Sequence, residues 1–308
     1  MTITDPVPEL CRILCDDASP NLALRFRALF SLKHLATQGN TSAVEAIAAA
    51  FVSNSALLKH ELAYCLGQSK QFSAAAPLQA VLQDEAEDSM VRHEAGEALG
   101  ALGHTPSLEL LRSYIGHKEE VISQTCELAV ARIEWEASEA AKTELLQTSA
   151  FASIDPAPPL PGTVKEVDCA KLQMKLNDQS VPLFERYRAM FRLRDIASPE
   201  AIDALASGLD DPSALFRHEI AFVFGQLSDP HSIPALIKAA GNKSEASMVR
   251  HEAVEALGSI ADERVEEFLK EYAKDEERVV RESAEVALDM AEFERSGQLE
   301  YALIPQSA

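Results

Sequence analysis

The sequence predicts an all-α array of stacked helical hairpins, on three observations. The dipeptide His-Glu occurs four times, at 60–61, 93–94, 218–219 and 251–252, with 33 residues between the members of each pair (93 − 60 and 251 − 218) and an offset of 158 between the pairs (218 − 60 and 251 − 93). A fixed period of about 20–50 residues marks stacked supersecondary units whose equivalent positions lie side by side. Apolar content is 47%, rich in Ala and Leu, with only 12 Gly and 6% aromatics, a helical rather than a sheet balance. Between Leu57 and Leu66 the apolar residues recur at steps of three and four, and strand-type alternation is absent.

Read in order, the chain is a duplicated half. Arg25-Phe26-Arg27-Ala28-Leu29-Phe30 matches Arg186-Tyr187-Arg188-Ala189-Met190-Phe191. The run from Lys59-His60-Glu61-Leu62-Ala63 to Gly67-Gln68 returns from Arg217-His218-Glu219-Ile220-Ala221 to Gly225-Gln226. Ser89-Met90-Val91-Arg92-His93-Glu94-Ala95 recurs as Ser247-Met248-Val249-Arg250-His251-Glu252-Ala253, and both go on to Glu-Ala-Leu-Gly. Each half holds about four units of about 30–33 residues. The His-Glu column reads Phe26-Arg27, His60-Glu61, His93-Glu94 and Cys126-Glu127 in the first half. In the second it reads Tyr187-Arg188, His218-Glu219, His251-Glu252 and Glu282-Ser283. The inner units keep the dipeptide and the outer ones lack it, as in an array with a central site and specialised caps. Gly67, Gly100, Gly225 and Gly258 are expected as helix C-caps. Ser198-Pro199, Asp211-Pro212 and Asp229-Pro230 are expected at helix starts. Pro156, Pro158, Pro159, Pro161 and Gly162 exclude a helix between 152 and 163. The expected organisation is therefore an N-terminal half over 1–150, a Pro-rich linker over 151–166 that is extended, exposed and without chemistry of its own, and a C-terminal half over 167–308.

Charge narrows the function classes. The formal net charge is −21, divided as −9 through residue 150 (11 basic, 20 acidic) and −12 beyond it (17 basic, 29 acidic). Two acidic halves repel nucleic acid and anionic membranes and attract basic partners. No stretch reaches the roughly 18 apolar residues of a membrane span, and the N-terminal residues do not read as a signal peptide. Five scattered cysteines, Cys11, Cys15, Cys65, Cys126 and Cys169, contain no CxxC and fit free thiols in a cytoplasmic protein. There is no Walker loop, no GxSxG and no arguable Cys/His/Asn arrangement.

The four dipeptides are where chemistry is expected. Packed helices lie about 8–10 Å apart, so histidines at matching registers can reach one ion at about 2.0–2.2 Å. The Glu after each His projects about 100° further round the helix, so one Glu of a pair can complete the coordination while the other turns to the groove. Two His and one carboxylate per half, with open positions, suit non-haem Fe(II), and facing halves would bring two such clusters into a dinuclear centre. A single His-Glu is ordinarily a surface pair, but four in duplicated register are not. Glu97 and Glu255, one turn after His93 and His251, read as solvated helix charges, with orientation of the imidazoles as the alternative. Arg92, Arg217 and Arg250 read as inter-repeat salt-bridge residues, and His34, His104, His117 and His231 as surface residues.

On these motifs the chain closely resembles the deoxyhypusine hydroxylase family over nearly its whole length. The motifs are Leu58-Lys59-His60-Glu61-Leu62-Ala63 and Ser89-Met90-Val91-Arg92-His93-Glu94-Ala95, with their second-half copies. The resemblance implies a HEAT-like helical-hairpin repeat array and a di-iron monooxygenase with two Fe2+ ions. The implied reaction uses O2 to hydroxylate the deoxyhypusine side chain on the precursor of eukaryotic initiation factor five-A. It implies His60, His93 and Glu94 as ligands of one iron, His218, His251 and Glu252 of the other, and Glu61 and Glu219 as carboxylates for the substrate's amines. No nucleic acid or membrane enters this expectation, and the protein is expected to be a monomer. The competing readings are a repeat adaptor that grips basic proteins without catalysis, and a zinc or manganese lyase or hydrolase at the same ligands.

Overall fold

The computed structural model describes residues 5–18, 21–144, 149–162, 168–296 and 301–302. Among these, seventeen α-helices are joined by short turns and 3-10 turns, with no strand, and no helix is long and apolar enough to cross a membrane. The first four hairpins are α1 (Val7–Leu14) with α2 (Leu22–Thr37), α3 (Thr41–Ala49) with α4 (Ala56–Gln68), α5 (Ala75–Gln83) with α6 (Ser89–Ala101), and α7 (Leu108–Tyr114) with α8 (Glu120–Glu136). A short α9 (Glu139–Thr143) precedes the Pro-rich segment. Four more hairpins follow: α10 (Cys169–Asn177) with α11 (Leu183–Ile196), α12 (Pro199–Ala206) with α13 (Ala214–Leu227), α14 (Ile233–Gly241) with α15 (Ser247–Ile260), and α16 (Glu266–Tyr272) with α17 (Arg278–Ser296).

The described residues form two compact units. One takes the chain up to Ala129 together with residues from Ser296 onward, where Tyr301 packs edge-on against Phe30 at 5.9 Å. The other runs from Val130 to Arg295. In the first unit the second helices of successive hairpins, α2, α4 and α6, pack side by side as an inner layer; in the second unit α11, α13 and α15 do the same.

Caps recur at the 158-residue offset. Ser55 accepts a hydrogen bond from the Leu58 N–H at the start of α4, and Ser213 accepts one from the Phe216 N–H at the start of α13. Ser198 caps α12 directly before Pro199, as its Ser-Pro pair predicts. Lys59 pairs with Glu87 and Arg217 with Glu245, again 158 residues apart.

The glycines differ from expectation. Gly67, Gly100, Gly225 and Gly258 are not C-caps but lie inside α4, α6, α13 and α15. What requires glycine there is close approach. A Cβ on Gly67 would fall 2.7 Å from Ala98 Cα, one on Gly100 2.9 Å from Ala129 Cα, and one on Gly258 2.6 Å from Ala287 Cβ. The actual end residues of α13 and α15, Ser228 (φ 47°) and Ala261 (φ 53°), take the left-handed conformation without being glycine, at a cost of about 1–2 kcal/mol each. The contact of Gly258 with Ala287, matching Gly100 with Ala129, also corrects the column in the last unit. Its equivalent of Cys126 is Ala284 (126 + 158), not Glu282.

Buried arginines tie four of the hairpins together. Arg25, Arg92, Arg186 and Arg250 donate from Nε to Leu14 O (2.8 Å), Leu82 O (3.1 Å), Leu176 O (2.8 Å) and Ala240 O (2.8 Å), at the C-terminal ends of α1, α5, α10 and α14. Each places a cation where a helix exposes orphan carbonyls and the negative end of its dipole. Arg186 and Arg250 also pair with Asp211 and Asp275 of the next repeat. The inter-repeat role read for Arg92, Arg217 and Arg250 therefore holds. Burial alone would raise the Asp275 carboxyl, but hydrogen bonds from Arg250 and Lys243 outweigh it and hold that group well below the usual carboxylate range.

The Pro-rich segment is a second correction. It is extended, as four prolines require, but Asp155, Pro156, Ala157 and Pro158 are buried on the second unit. Leu160 N–H donates to Arg188 O (3.1 Å), Arg188 Nε to Pro158 O (3.3 Å) and Gln226 Nε2 to Ser153 Oγ (2.8 Å). Arg194, itself fully buried, pairs with Asp155 at 2.9 Å and stacks over Phe151. Polyproline backbone lacks internal hydrogen bonds, so its carbonyls are open to donors such as Arg188. Residues 163–166 of the expected linker lie outside the described residues.

Two variants test these contacts. Gly258→Ala is expected to lose about 1–3 kcal/mol by overpacking. Gly225→Ala, whose Cβ would meet Ala256 Cα at 3.3 Å, is expected to lose less, because alanine's helix propensity returns about 1 kcal/mol. Urea midpoints compare them, and equal losses would contradict the close-approach account. Arg194→Ala is expected to open the segment to chymotrypsin at Phe151 with helicity unchanged. Cleavage as slow as in the unaltered protein would show that Arg194 does not hold it.

Candidate metal centre

The inner helices carry the dipeptides into the interior. α4 and α6 pack closely, as do α13 and α15. His60 and His93 face each other with ring centroids 5.4 Å apart, and His218 and His251 repeat the arrangement at 5.4 Å. All four imidazoles are buried, with His93 and His251 fully so.

Glu94 and Glu252, buried as well, join these rings. In the first unit Glu94 Oε2 lies 3.2 Å from His60 Nε2 and 3.9 Å from His93 Nε2. In the second, Glu252 Oε2 lies 3.4 Å from His218 Nε2, and donor atoms of His218, His251 and Glu252 all fall within 4.8 Å of one another. Ligands about 2.0–2.2 Å from one ion are separated by about 3–4.4 Å, and the carboxylate-to-imidazole separations of 3.2, 3.9 and 3.4 Å fall within that span. Two imidazoles and one carboxylate leave coordination positions open, the donor set of non-haem iron sites. A divalent cation would suit a buried carboxylate and two imidazoles in each cluster.

Glu61 and Glu219 directly follow His60 and His218 in the chain. Glu61, half-buried, holds the Cys65 thiol against its Oε1 at 3.7 Å, and Glu219 is buried on α13. Neither is in the metal-type groups of its own unit, and each projects from the helix one residue past a clustered histidine.

Four residues around the rings were missed or misjudged from sequence. Thr125, on α8, places Oγ1 3.5 Å from His93 Nδ1. Ser283, on α17, donates to Glu255 Oε1 at 2.9 Å, and that oxygen lies 3.8 Å from His251 Nδ1. Glu97 comes within 4.8 Å of donor atoms of His93 and Glu94. Glu97 and Glu255 are thus not solvated helix charges, and both are only half-exposed. The available signal was their offset: 97 to 255 and 125 to 283 each span 158 residues. Of the histidines outside the column, His34 and His231 are exposed and His104 and His117 half-exposed, as read.

Comparison with known proteins agrees with this architecture. HEAT repeats match over residues 49–131 and 202–289, and the PBS lyase HEAT-like repeat over 185–211. Deoxyhypusine hydroxylase of Neurospora crassa is 59% identical, covering 98% of each chain, and that of Neosartorya fischeri is 58% identical, covering 98% of this chain and 95% of the other. Human deoxyhypusine hydroxylase in complex with glycerol superposes with a TM-score of 0.86 at 48% identity, over 93% of this chain and 96% of that one. The chain belongs to the deoxyhypusine hydroxylase family. It is therefore an enzyme, a monooxygenase built on HEAT repeats.

Around the hydroxylase's first cluster the thiols are passive. Burial, then the Glu61 charge, push the Cys65 thiol well above its ordinary range, and burial pushes Cys126 up to about 12. Thiolate is the reactive form. Iodoacetamide at neutral pH is therefore expected to label the half-exposed Cys11 and Cys169 in the folded enzyme, and Cys65 and Cys126 only after unfolding. Labelling of Cys65 at the rate of Cys169 would contradict its enclosure.

Proposed function

We propose that the enzyme hydroxylates the deoxyhypusine side chain of the eukaryotic initiation factor five-A precursor, using O2 and two iron ions acting as a dinuclear centre. One observation carries this: each unit holds a buried two-histidine, one-carboxylate donor set of the same composition at the same register. His60, His93 and Glu94 would hold one iron, and His218, His251 and Glu252 the other. Bound Fe(II) would supply the one-electron and O2 chemistry that no side chain provides. One oxygen atom would enter a carbon–hydrogen bond and the other leave as water, with electrons from an external donor.

The protein's own part is binding and positioning. Deoxyhypusine is a lysine extended by an aminobutyl group, so its amines are cationic and call for carboxylates. Glu61 and Glu219, each directly after a ligand histidine in the chain, are the residues we assign to that role. The half-buried setting of Glu61 and the buried one of Glu219 favour strong ion pairing once water is excluded. The net charge of −21 supports a basic protein substrate. Free cysteines throughout support a cytoplasmic setting. We read 1–150 and 167–308 as products of an internal duplication joined through 151–166.

Protein from iron-replete cells is expected to carry one iron per cluster, magnetically coupled to the other, and to add the mass of one oxygen atom to a deoxyhypusine-bearing protein when reduced in air. His93→Ala should lose bound iron and activity together. Glu61→Ala should keep its iron and lose turnover by about 10²-fold or more. Full activity in iron-free protein would overturn the metal assignment. Iron loss in Glu61→Ala would overturn the division of roles.

A further inference from the structure

Behind each deeper histidine ring lies a pair of polar residues that the ligand sets do not include. His93 has polar neighbours on two sides: Nε2 faces Glu94 Oε2 at 3.9 Å, and Nδ1 is within hydrogen-bond reach of Thr125 Oγ1 at 3.5 Å on the next repeat. For His251 the Nδ1 side faces Glu255 Oε1 at 3.8 Å, and Ser283, fully buried on the next repeat, donates its hydroxyl to that same oxygen at 2.9 Å. We propose that Glu255 with Ser283 at His251, and Thr125 at His93 with Glu97 close by, are positioning residues that hold the Nδ1 edge of each ring and so present Nε2 to the metal. This rests on the clusters being metal sites.

The chemistry is that of a neutral imidazole, which carries one N–H and one lone pair. An acceptor at Nδ1 stabilises the Nδ1–H tautomer and leaves the Nε2 lone pair for ligation, while fixing the ring plane and raising its basicity. Glu255 Oε1 stands on that edge 3.8 Å from His251 Nδ1, longer than a formed hydrogen bond, and Ser283 limits its rotation by donating to it. A hydroxyl at Thr125 can accept from His93 Nδ1–H in the same way, with the Glu97 carboxylate nearby. Duplication supplies an independent check. Thr125 and Ser283 occupy matched positions, yet their neighbours change class: Ser123, Gln124 and Cys126 become Arg281, Glu282 and Ala284. The hydroxyl persists across these three changes, as do Val121, Glu127 and Ala129, which return as Val279, Glu285 and Ala287. Ser and Thr inside helices commonly bond back to their own helix, whereas Ser283 reaches across to α15.

The test uses the full chain in two states. In metal-free protein, long-range ¹H–¹⁵N spectra are expected to show His251 as the Nδ1–H tautomer, shifting toward Nε2–H in Glu255→Ala. In Co(II) titrations against a competing chelator, Glu255→Ala should weaken the second-unit site about 10–100-fold. Glu255→Gln, whose amide oxygen still accepts, should keep the tautomer and most of the affinity. Ser283→Ala should move both readouts the same way by less, and serves if Glu255→Ala does not fold. An unchanged tautomer and affinity in the alanine variants, or a Gln variant as weak as Ala, would overturn the proposal. Failure of the unaltered protein to take up Co(II) would instead count against the metal sites, and the tautomer shift would still decide the role of Glu255.

Discussion

Neighbouring inner helices meet backbone to backbone where a glycine of one faces an alanine of the next, and that separation governs what else the structure can hold. Gly67 against Ala98 and Gly225 against Ala256 lie on the same helix pairs as His60 with His93 and His218 with His251. With no side chain at the crossing, the axes come close enough for the imidazoles two turns away to stand 5.4 Å apart. A larger residue there would part the helices and spread the donors beyond the span of one ion. The next crossings, Gly100 on Ala129 and Gly258 on Ala287, bring Thr125 and Ser283 up behind the rings. Packing and coordination geometry are in this sense one constraint.

Electrostatics divides the buried charges into two kinds. Structural cations are answered locally: Arg25, Arg92, Arg186 and Arg250 cap helix ends, and Arg194 holds the Pro-rich segment through Asp155 and Asp195. Removing one partner of such a pair costs about 3–5 kcal/mol, because the other charge is left buried. The clusters are different in kind. Acids there meet imidazoles, so a cation of high charge density finds a carboxylate and two imidazoles close together. The strained left-handed ends at Ser228 and Ala261 occur on the very helices that carry His218 and His251. Local cost is accepted there because tertiary packing over-determines the helix ends.

Much of this was legible in the sequence, for reasons that can be traced. The period and the apolar spacing report the helical hairpins because each hairpin must bury the same face against a similar neighbour. The dipeptide column reports that His60, His93, His218 and His251, each with a following Glu, come together because stacking converts register into proximity; the family resemblance, not the register, singles out Glu94 and Glu252. Positions governed by contact with a specific neighbour were misread. Gly67 and its three counterparts looked like caps, since near the end of a helix a terminating glycine and a close-packed one are the same letter. Asp155 to Pro158 looked exposed, since proline content reports backbone conformation and not what lies over it. Glu97 and Glu255 looked solvated, since charge at helical spacing is ordinarily a surface feature.

By itself the sequence determined the all-helical class, the duplication, and the four His-Glu pairs from which metal ligands could come, because those follow from periodicity along one chain. Only the tertiary structure decided which face of each imidazole points to the donors, which residues stand behind it, and where the Pro-rich segment lies. Those depend on side chains from helices a whole repeat apart meeting within a few ångströms, a separation set by backbone approach at the glycine crossings rather than by any local pattern.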